Sequence, residues 1–225
     1  MGPSPSPQPT IDPGIVEFQI GQVYQISIPF MDSSAPGSTT TPARAFSVPP
    51  VAADGTLNYV LKTFNAKTQE YVPPGEFDTL DNNAILQRGQ GYFMRPVNST
   101  VHIKTPAEDS SRKALSDTQF EIVLRRDPSR SAKDPNNGYN LIGFPFDPQL
   151  YRSSNWTEAT VTTPDGRIYT SLTEAVAAGV LSLDLQTLNG GSYSSTRTLE
   201  PYKGYWARAF IDGTRVVLKA GRGGR

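Results

Sequence analysis

His102 is the only histidine among the 225 residues of the chain, and cysteine is absent. A Ser-His-acid triad needs an imidazole that takes the proton of the nucleophile, so His102 would have to serve alone. It lies inside an apparent strand, and no G-x-S-x-G segment accompanies it. We therefore interpret His102 as an ordinary strand residue and predict that the protein is not an enzyme. A hydrolase with dispersed carboxylates stays an alternative, because sequence does not show the distance between two acids.

Two clusters of oxygen ligands are the remaining candidates for a metal site, since one histidine and no cysteine exclude multi-histidine and thiolate sites. Calcium takes about six to eight oxygen ligands, and neither cluster has the spacing of an EF-hand loop. Turn formation explains both clusters, so we predict no metal. No glycine-rich phosphate loop precedes a helix, so we also predict no cofactor. The clusters are Asp78, Asp81, Asn82 and Asn83, and Asp134, Asn136 and Asn137.

Aromatic residues follow glycine in two similar segments, residues 91–93 (GYF) and 204–206 (GYW). Successive side chains of a strand point to opposite faces, so one ring should enter the core and the next should point outward. The glycine should relieve a tight approach. The alternative is a surface strip of rings that grips sugars or a partner protein. The candidates for such ligand-facing rings are Tyr92, Tyr202, Tyr205 and Trp206.

These ring motifs belong to a longer internal repeat. Residues 21–30 read GQVYQISIPF and residues 138–146 read GYNLIGFPF, while residues 86–93 (LQRGQGYF) match residues 199–206 (LEPYKGYW). The offset is 116 residues at the first match (30 to 146) and 113 at the second (91 to 204). Two matches in the same order, with nearly the same offset, indicate two copies of one folding unit.

The elements between these matches are mostly short β-branched and aromatic runs separated by turn residues, which is typical of antiparallel strands. We predict a mainly β fold of two tandem antiparallel repeats, each sandwich- or barrel-like. The predicted boundaries are an extended Pro/Ser arm over residues 1–13, repeat 1 over 14–106, a linker over 107–118 and repeat 2 over 119–225. One short helix is expected in repeat 2, because residues 171–174 (SLTE) form a capping box and Gly179 follows.

Charge and hydropathy exclude two classes of partner. The chain carries 21 basic and 21 acidic side chains, whereas binding to nucleic-acid phosphates normally needs a basic excess. No stretch approaches the roughly 18 apolar residues of a membrane span, so we predict none. The first residues lack the basic-then-apolar layout of a signal peptide. The chain is therefore either not exported by that route or a mature segment.

With both matches placed, the pattern resembles a repeat of large secreted and cell-surface proteins of bacteria and archaea. That repeat opens with a G-W-N-L-I-S-x-P-like strand, passes through a Y-D-x-x-x-G-x-Y hairpin and closes with L-x-P-G-K-G-Y-W-V. Repeat 2 is similar at residues 138–145 (GYNLIGFP), 189–193 (NGGSY) and 199–206 (LEPYKGYW). Repeat 1 departs from it at residues 22–24 (QVY) and has Phe93 in place of tryptophan. The resemblance extends over most of residues 14–221 and implies accessory or assembly modules outside the cell, without catalytic residues.

Two functions are compatible with these observations. The first is a non-enzymatic extracellular or cell-surface structural subunit that forms homo-oligomers or filaments by adding its N-terminal strand to a neighbouring sheet edge. The second is an accessory module that binds a polysaccharide or a protein through exposed tyrosine and tryptophan. The same N-terminal run could also pair within its own repeat, and a viral structural protein is a further alternative. The residues expected in the donated strand are Ile11, Ile15, Val16, Phe18 and Ile20.

Overall fold

Antiparallel strands build both halves of the protein. A computed structural model describes residues 11–12, 15–32, 39–72, 85–104, 108, 112–113, 115–131, 133–189 and 191–221. The strands before the linker are β1 (Ile11–Asp12), β2 (Ile15–Phe18), β3 (Tyr24–Ser27), β4 (Met31–Asp32), β5 (Thr39–Thr40), β6 (Tyr59–Asn65), β7 (Glu70–Val72), β8 (Leu86–Gln87), β9 (Gly91–Pro96) and β10 (Val101–His102). The later strands are β11 (Arg112–Lys113), β12 (Gln119–Leu124), β13 (Tyr139–Gly143), β14 (Ser154–Asn155), β15 (Thr160–Thr162), β16 (Ile168–Tyr169), β17 (Leu185–Asn189), β18 (Ser192–Thr196), β19 (Thr198–Leu199), β20 (Gly204–Arg208) and β21 (Thr214–Lys219). The helices are α1 (Pro42–Ala45) and α2 (Leu172–Ala177), with a 3₁₀ turn at Trp156–Glu158.

The predicted mainly β, antiparallel and sandwich-like fold is confirmed. Repeat 1 contains a four-stranded sheet in the order β3-β9-β6-β7, and repeat 2 contains one in the order β13-β20-β17-β18. Strands near the beginning and end of each repeat also pair, β2 with β10 and β12 with β21. The two repeats therefore follow the same path, and each strand of one central sheet has a counterpart in the other.

Each repeat has its own hydrophobic core. Alternation along β9 directs Tyr92 and Met94 into the core of repeat 1, and alternation along β20 directs Tyr205 and Ala207 into the core of repeat 2. The core of repeat 1 draws its buried residues from positions 16–103 and that of repeat 2 from positions 122–218. Because each buried ring removes roughly 150–250 Å² from water, a few rings supply much of the apolar burial of each small core.

One hydrogen bond recurs in both cores. The hydroxyl of Tyr92 accepts from the backbone N–H of Gln87 at 2.7 Å, and the hydroxyl of Tyr205 accepts from that of Glu200 at 2.8 Å. In each repeat the donor lies five residues before the tyrosine. The tyrosine of the G-Y-aromatic motif therefore fills the core, and its hydroxyl is the hydrogen-bond acceptor for a backbone N–H just before its own strand.

The helix predicted in repeat 2 is present, and a hairpin precedes it. Strands β15 and β16 pair on either side of the Asp-Gly turn, and α2 follows with Ser171 accepting from the N–H of Glu174 at its start. Gly179, with a φ of 70°, follows the end of α2. Repeat 1 contains the additional short helix α1, which was not predicted. It begins at Pro42, whose fixed φ suits the first helical position.

Part of the predicted linker is anchored to both repeats. Strand β11 pairs with β4, and the N–H of Ala220 donates to the carbonyl of Thr118 at 2.9 Å. Asp117 accepts a hydrogen bond of 2.7 Å from the guanidinium of Arg88, which is itself buried. The segment therefore connects the two repeats by contacts as well as by the chain.

Among the described residues, no helix combines the length and the apolar character needed to cross a membrane.

Candidate binding groove between the repeats

The two G-Y-aromatic motifs place their second rings on the faces where the repeats meet. Tyr92 and Tyr205 are only 2% and 1% exposed in their own cores. The structure therefore corrects the suggestion that these two rings face a ligand, because strand alternation directs them inward. Phe93 and Trp206 lie on the sheet faces that point away from these cores, and their ring centroids are 5.8 Å apart. The motifs thus form the centre of the contact between the repeats.

Backbone hydrogen bonds make this contact reciprocal. The N–H of Ser27 on β3 donates to the carbonyl of Tyr202 at 3.0 Å, and the N–H of Gly143 on β13 donates to the carbonyl of Gly89 at 2.9 Å. The donors are 116 residues apart (27 to 143) and the acceptors 113 (89 to 202), which are the offsets of the sequence repeat. Each repeat therefore presents the same patch to the other, as in an isologous dimer.

Small residues allow this close approach. A Cβ added to Gly143 would overlap the Cβ of Ser27, its counterpart in repeat 1, and would stand 2.8 Å from the carbonyl oxygen of Gln90. A Cβ at Gly204 would stand 2.8 Å from the carbonyl oxygen of Ile26. The close contact predicted at the motif glycine is therefore made by the backbone of the other repeat.

Tyr202 differs from its counterpart Gly89 in size but not in backbone conformation. Both have a positive φ, 66° for Tyr202 and 78° for Gly89, and a non-glycine residue in that region is strained by about 1–3 kcal/mol. A side chain at Gly89 would collide with the ring of Phe120. The ring of Tyr202 instead packs partly buried against the core of repeat 1, so this candidate ligand-facing residue holds the two repeats together.

The contact departs from twofold symmetry at three pairs of counterparts. In each pair the larger side chain is the one that lies next to Trp206 or is Trp206 itself. Tyr139 stands where repeat 1 has Val23, Phe64 where repeat 2 has Leu188, and Trp206 where repeat 1 has Phe93. The ring centroid of Trp206 lies 4.8 Å from that of Phe64 and 6.1 Å from that of Tyr139, both in edge-to-face geometry. The larger rings therefore cluster around Trp206.

This cluster lines an open groove of about 430 Å³, here called the aromatic groove. Hairpin β6–β7 supplies one wall, with Tyr71 37% exposed, and hairpin β17–β18 supplies the other, with Tyr193 52% exposed. The Nε1–H of Trp206 donates to the Tyr193 hydroxyl at 3.3 Å. Burial raises the pKa of Tyr71, and the nearby Tyr193 raises it further. The lining residues are Phe64, Gln69, Tyr71, Asn136, Tyr139, Gln186, Tyr193 and Trp206.

Side-chain amides fix the walls of the groove. The amide of Gln69 donates to the carbonyl of Tyr139 at 3.0 Å and accepts from its N–H at 2.8 Å. On the other wall, the amide of Gln186 donates to the hydroxyl of Ser195 at 2.7 Å. Because Gln69 belongs to repeat 1 and Tyr139 to repeat 2, the groove is built only when both repeats are in place.

A scan of protein-family models, a search of curated proteins and a search of solved structures each found no match. The interpretation of the groove therefore depends on its own geometry and on the resemblance in the repeat motifs.

The residues expected in a donated N-terminal strand lie largely within repeat 1. Strand β2 pairs with β10 in the same repeat, and Val16 and Phe18 are buried in the core. The structure corrects their assignment to an intermolecular surface, because strand alternation turns both side chains inward. Ile20 is exposed, and the backbone of Ile11 pairs with that of Val16. The side chains of Ile11 and Ile15 lie outside the described residues.

The residues considered for catalysis and metal binding have local structural partners. His102 contacts Glu108 at 2.9 Å on the surface of repeat 1. In the second oxygen-rich cluster, Asp134 accepts from the N–H of Asn136 at 2.8 Å, and the side chain of Asn137 bonds with both backbone groups of Asp127. These bonds are the turn chemistry inferred from the sequence. The first cluster, residues 78–83, lies outside the described residues.

Sequence reasoning missed most of the groove. Trp206 was the only lining residue among the predicted ligand-facing rings. Tyr71 and Tyr193 lie on the second strands of the equivalent hairpins of the two repeats, and that equivalence was the available signal. What the sequence did not show was that the two hairpins face each other, because this depends on how the repeats pack.

Proposed function

We propose that the protein is a non-enzymatic binding module of an extracellular or cell-surface protein, and that its aromatic groove takes a neutral polysaccharide. The observation that carries this proposal is a set of partly exposed rings in one open groove between two rigid repeats. Its volume of about 430 Å³ falls in the usual range of ligand sites, roughly 300–1,000 Å³, and junctions between domains are common places for such sites.

The chemistry of the lining matches a sugar chain. A pyranose ring has apolar C–H faces and a rim of hydroxyl groups, so it needs flat apolar surfaces together with hydrogen-bonding groups. Trp206, Tyr71 and Tyr193 supply the rings, and the two tyrosine hydroxyls are donors and acceptors at the groove. Tyrosine and tryptophan give a large contact area with little loss of conformational entropy.

The absence of charge from the lining selects the class of polysaccharide. Among the residues that the structure describes, eight line the groove, and none of these eight carries a charged side chain. A uronic-acid or sulfated chain would bring anionic groups against a described lining that contains no cationic side chain, and this costs desolvation without compensation. A neutral chain incurs no such cost.

Assembly by donation of β2 has less support, because β2 would have to leave its own sheet. That exchange would expose Val16 and Phe18, which are buried in repeat 1, and each fully buried side chain of this size is worth about 1.5–3 kcal/mol. We therefore place binding first and consider association between copies separately.

Binding can be tested with the purified chain and a panel of soluble neutral and acidic polysaccharides, by affinity electrophoresis followed by calorimetry with oligosaccharides. We expect at least one neutral glucan, mannan or xylan to bind. Tyr193→Ala and Tyr71→Ala should each weaken that binding tenfold or more, since a ring at a binding hot spot contributes about 2 kcal/mol. Leu150→Ala is the control, because Leu150 is comparably exposed but is not in the groove lining.

Three outcomes would contradict the proposal: no neutral polysaccharide binds, only acidic ones bind, or the tyrosine variants bind as well as the Leu150 control. Fluorescence offers an independent readout. The chain has two tryptophans, and Trp156 is buried in the core of repeat 2. A ligand in the groove should therefore change only the emission of Trp206, and the change should be lost in Trp206→Phe.

A further inference from the structure

Strand β18 is a sheet edge that none of the other described strands covers. It is the last strand of the sheet β13-β20-β17-β18, and among the described strands only β17 pairs with it. The pairing runs without interruption from Asn189↔Ser192 to Leu185↔Thr196, so no bulge twists the edge away. The outward backbone groups of such a strand are free to pair with another strand.

The counterpart edge strand in repeat 1 is β7, and its sequence disfavours pairing with another strand. Strand β7 has three residues, one of them Glu70, and Pro73 and Pro74 follow it in the sequence. Short length, charge and proline are devices by which proteins prevent edge pairing. Strand β18 has five residues, Ser-Tyr-Ser-Ser-Thr, with no charge and no proline, and four of the five are exposed. The equivalent edge strands of the two repeats therefore differ: the sequence of β7 disfavours edge pairing, and that of β18 permits it.

We propose that two copies of the chain pair through β18, antiparallel about a twofold axis, with Ser194 of one copy opposite Ser194 of the other. The sequence of β18 is compatible with pairing to a second copy of β18. It brings no like charges together, and serine and threonine side chains hydrogen-bond across antiparallel strands. The four-stranded sheet of each copy would continue into that of the other.

The residues just beyond β18 also fit this register. A pairing centred on Ser194 places Arg197 of one copy opposite Gly191 of the other, three residues from the centre on each side. Arg197 is already paired with Asp184 at 2.7 Å, and a glycine opposite leaves room for its side chain. A shift of the register by two residues would bring Arg197 opposite Tyr193 or Asn189, both of which are larger than glycine.

The dimer should be weak. Five residues a side give few hydrogen bonds, and the buried area stays below the roughly 1,200 Å² of standard interfaces. The expected association is therefore in the micromolar to millimolar range, visible only at high protein concentration. Because the axis is perpendicular to the sheet, both copies present Tyr193 on the same face.

Sedimentation velocity of the full chain, from about 5 µM to about 1 mM, covers this affinity range. We expect a monomer–dimer equilibrium. Ser194→Lys should weaken it tenfold or more, because two ammonium groups would then face each other. Ser116→Lys is the matched control, with the same charge change at an exposed position remote in sequence from β18.

A mixture distinguishes this dimer from any other. Ser194→Lys and Ser194→Glu should each be monomeric alone but should form a heterodimer when mixed, because position 194 faces itself. Circular dichroism checks that each variant is folded. A wild-type chain that stays monomeric up to about 1 mM, or a dimer that is indifferent to both substitutions, would overturn the proposal. Heterodimers that form no more readily than the homodimers would overturn the register.

Discussion

Replacing Gly143 with alanine should lower the free energy of unfolding by about 3 kcal/mol, the upper part of the range for overpacking a tight contact. The new methyl group would overlap the Cβ of Ser27 and press on the backbone of Gln90. Neither neighbour is the flexible end of a side chain, so relief requires the two repeats to move apart. Movement would lengthen the hydrogen bond from Gly143 to Gly89, now 2.9 Å, and its counterpart from Ser27 to Tyr202.

A second substitution should restore part of this stability. Ser27→Gly removes the atom with which the new methyl group collides, although it also removes the hydroxyl that accepts from the N–H of Phe144 at 3.2 Å. Alone, Ser27→Gly should cost about 1 kcal/mol. Combined with Gly143→Ala, it should show a favourable coupling of about 2 kcal/mol.

Urea denaturation of the wild type, both single variants and the double variant measures this coupling. Additive effects of the two substitutions would contradict the close approach at this point. A stability of Gly143→Ala within about 0.5 kcal/mol of the wild type, the range of ordinary surface changes, would contradict the contact between the repeats altogether.

Alkaline pH should unfold the protein steeply above about pH 10, the pKa of tyrosine in an unfolded chain. Burial raises the pKa values of Tyr59, Tyr92 and Tyr205 well above that value. As the pH rises, the unfolded chain therefore loses these protons first. The three tyrosines do not change stability below about pH 10, and above it each lowers the free energy of unfolding by about 1.4 kcal/mol per pH unit. Together they lower it by about 4 kcal/mol per pH unit, so a marginally stable fold is lost within about one to four pH units.

Two signals recorded together would check this expectation. Tyrosinate absorbance and far-ultraviolet circular dichroism would be followed against pH, and the three buried tyrosines should ionise only as the circular dichroism signal disappears. A full rise in tyrosinate absorbance with the fold intact would show that these rings are not buried.

Tyr59→Phe isolates one member of the set. The Tyr59 hydroxyl is buried and has no hydrogen-bond partner among the described residues, so its removal should leave stability at neutral pH unchanged or raise it by about 1 kcal/mol. It should also remove one of the three steep contributions above pH 10. Tyr205→Phe is the contrasting variant, because it leaves the N–H of Glu200 without its acceptor and should lower stability at neutral pH.

The sequence was sufficient to predict the class of fold because its signals are local. The Asp-Gly turn, the capping box at Ser171 and the alternation around Gly204 each depend on neighbours within a few residues. The same alternation predicted that one ring of each G-Y-aromatic motif would be buried. It did not say which one, because that depends on which face of the sheet the rest of the core covers.

The groove could not be predicted from the sequence, for a different reason. Its walls come from residues as far apart as Gln69 and Tyr139, or Phe64 and Trp206, and nothing local specifies that these residues meet. The pairing of β2 was also open, since a β-branched run satisfies its backbone equally well within its own repeat or on another copy. Packing within repeat 1 decides it, through the burial of Phe18.

The three unequal pairs around Trp206 have a consequence for recognition. Had the two repeats been identical, their contact would have been twofold symmetric, and every cleft beside it would have had an equivalent partner. Phe64, Tyr139 and Trp206 line the aromatic groove, whereas their counterparts Leu188, Val23 and Phe93 do not. The groove therefore has no equivalent on the other side of the contact, and the two directions along it differ in chemistry. A polysaccharide chain also has two different ends, so the unequal pairs give such a ligand one preferred direction of binding.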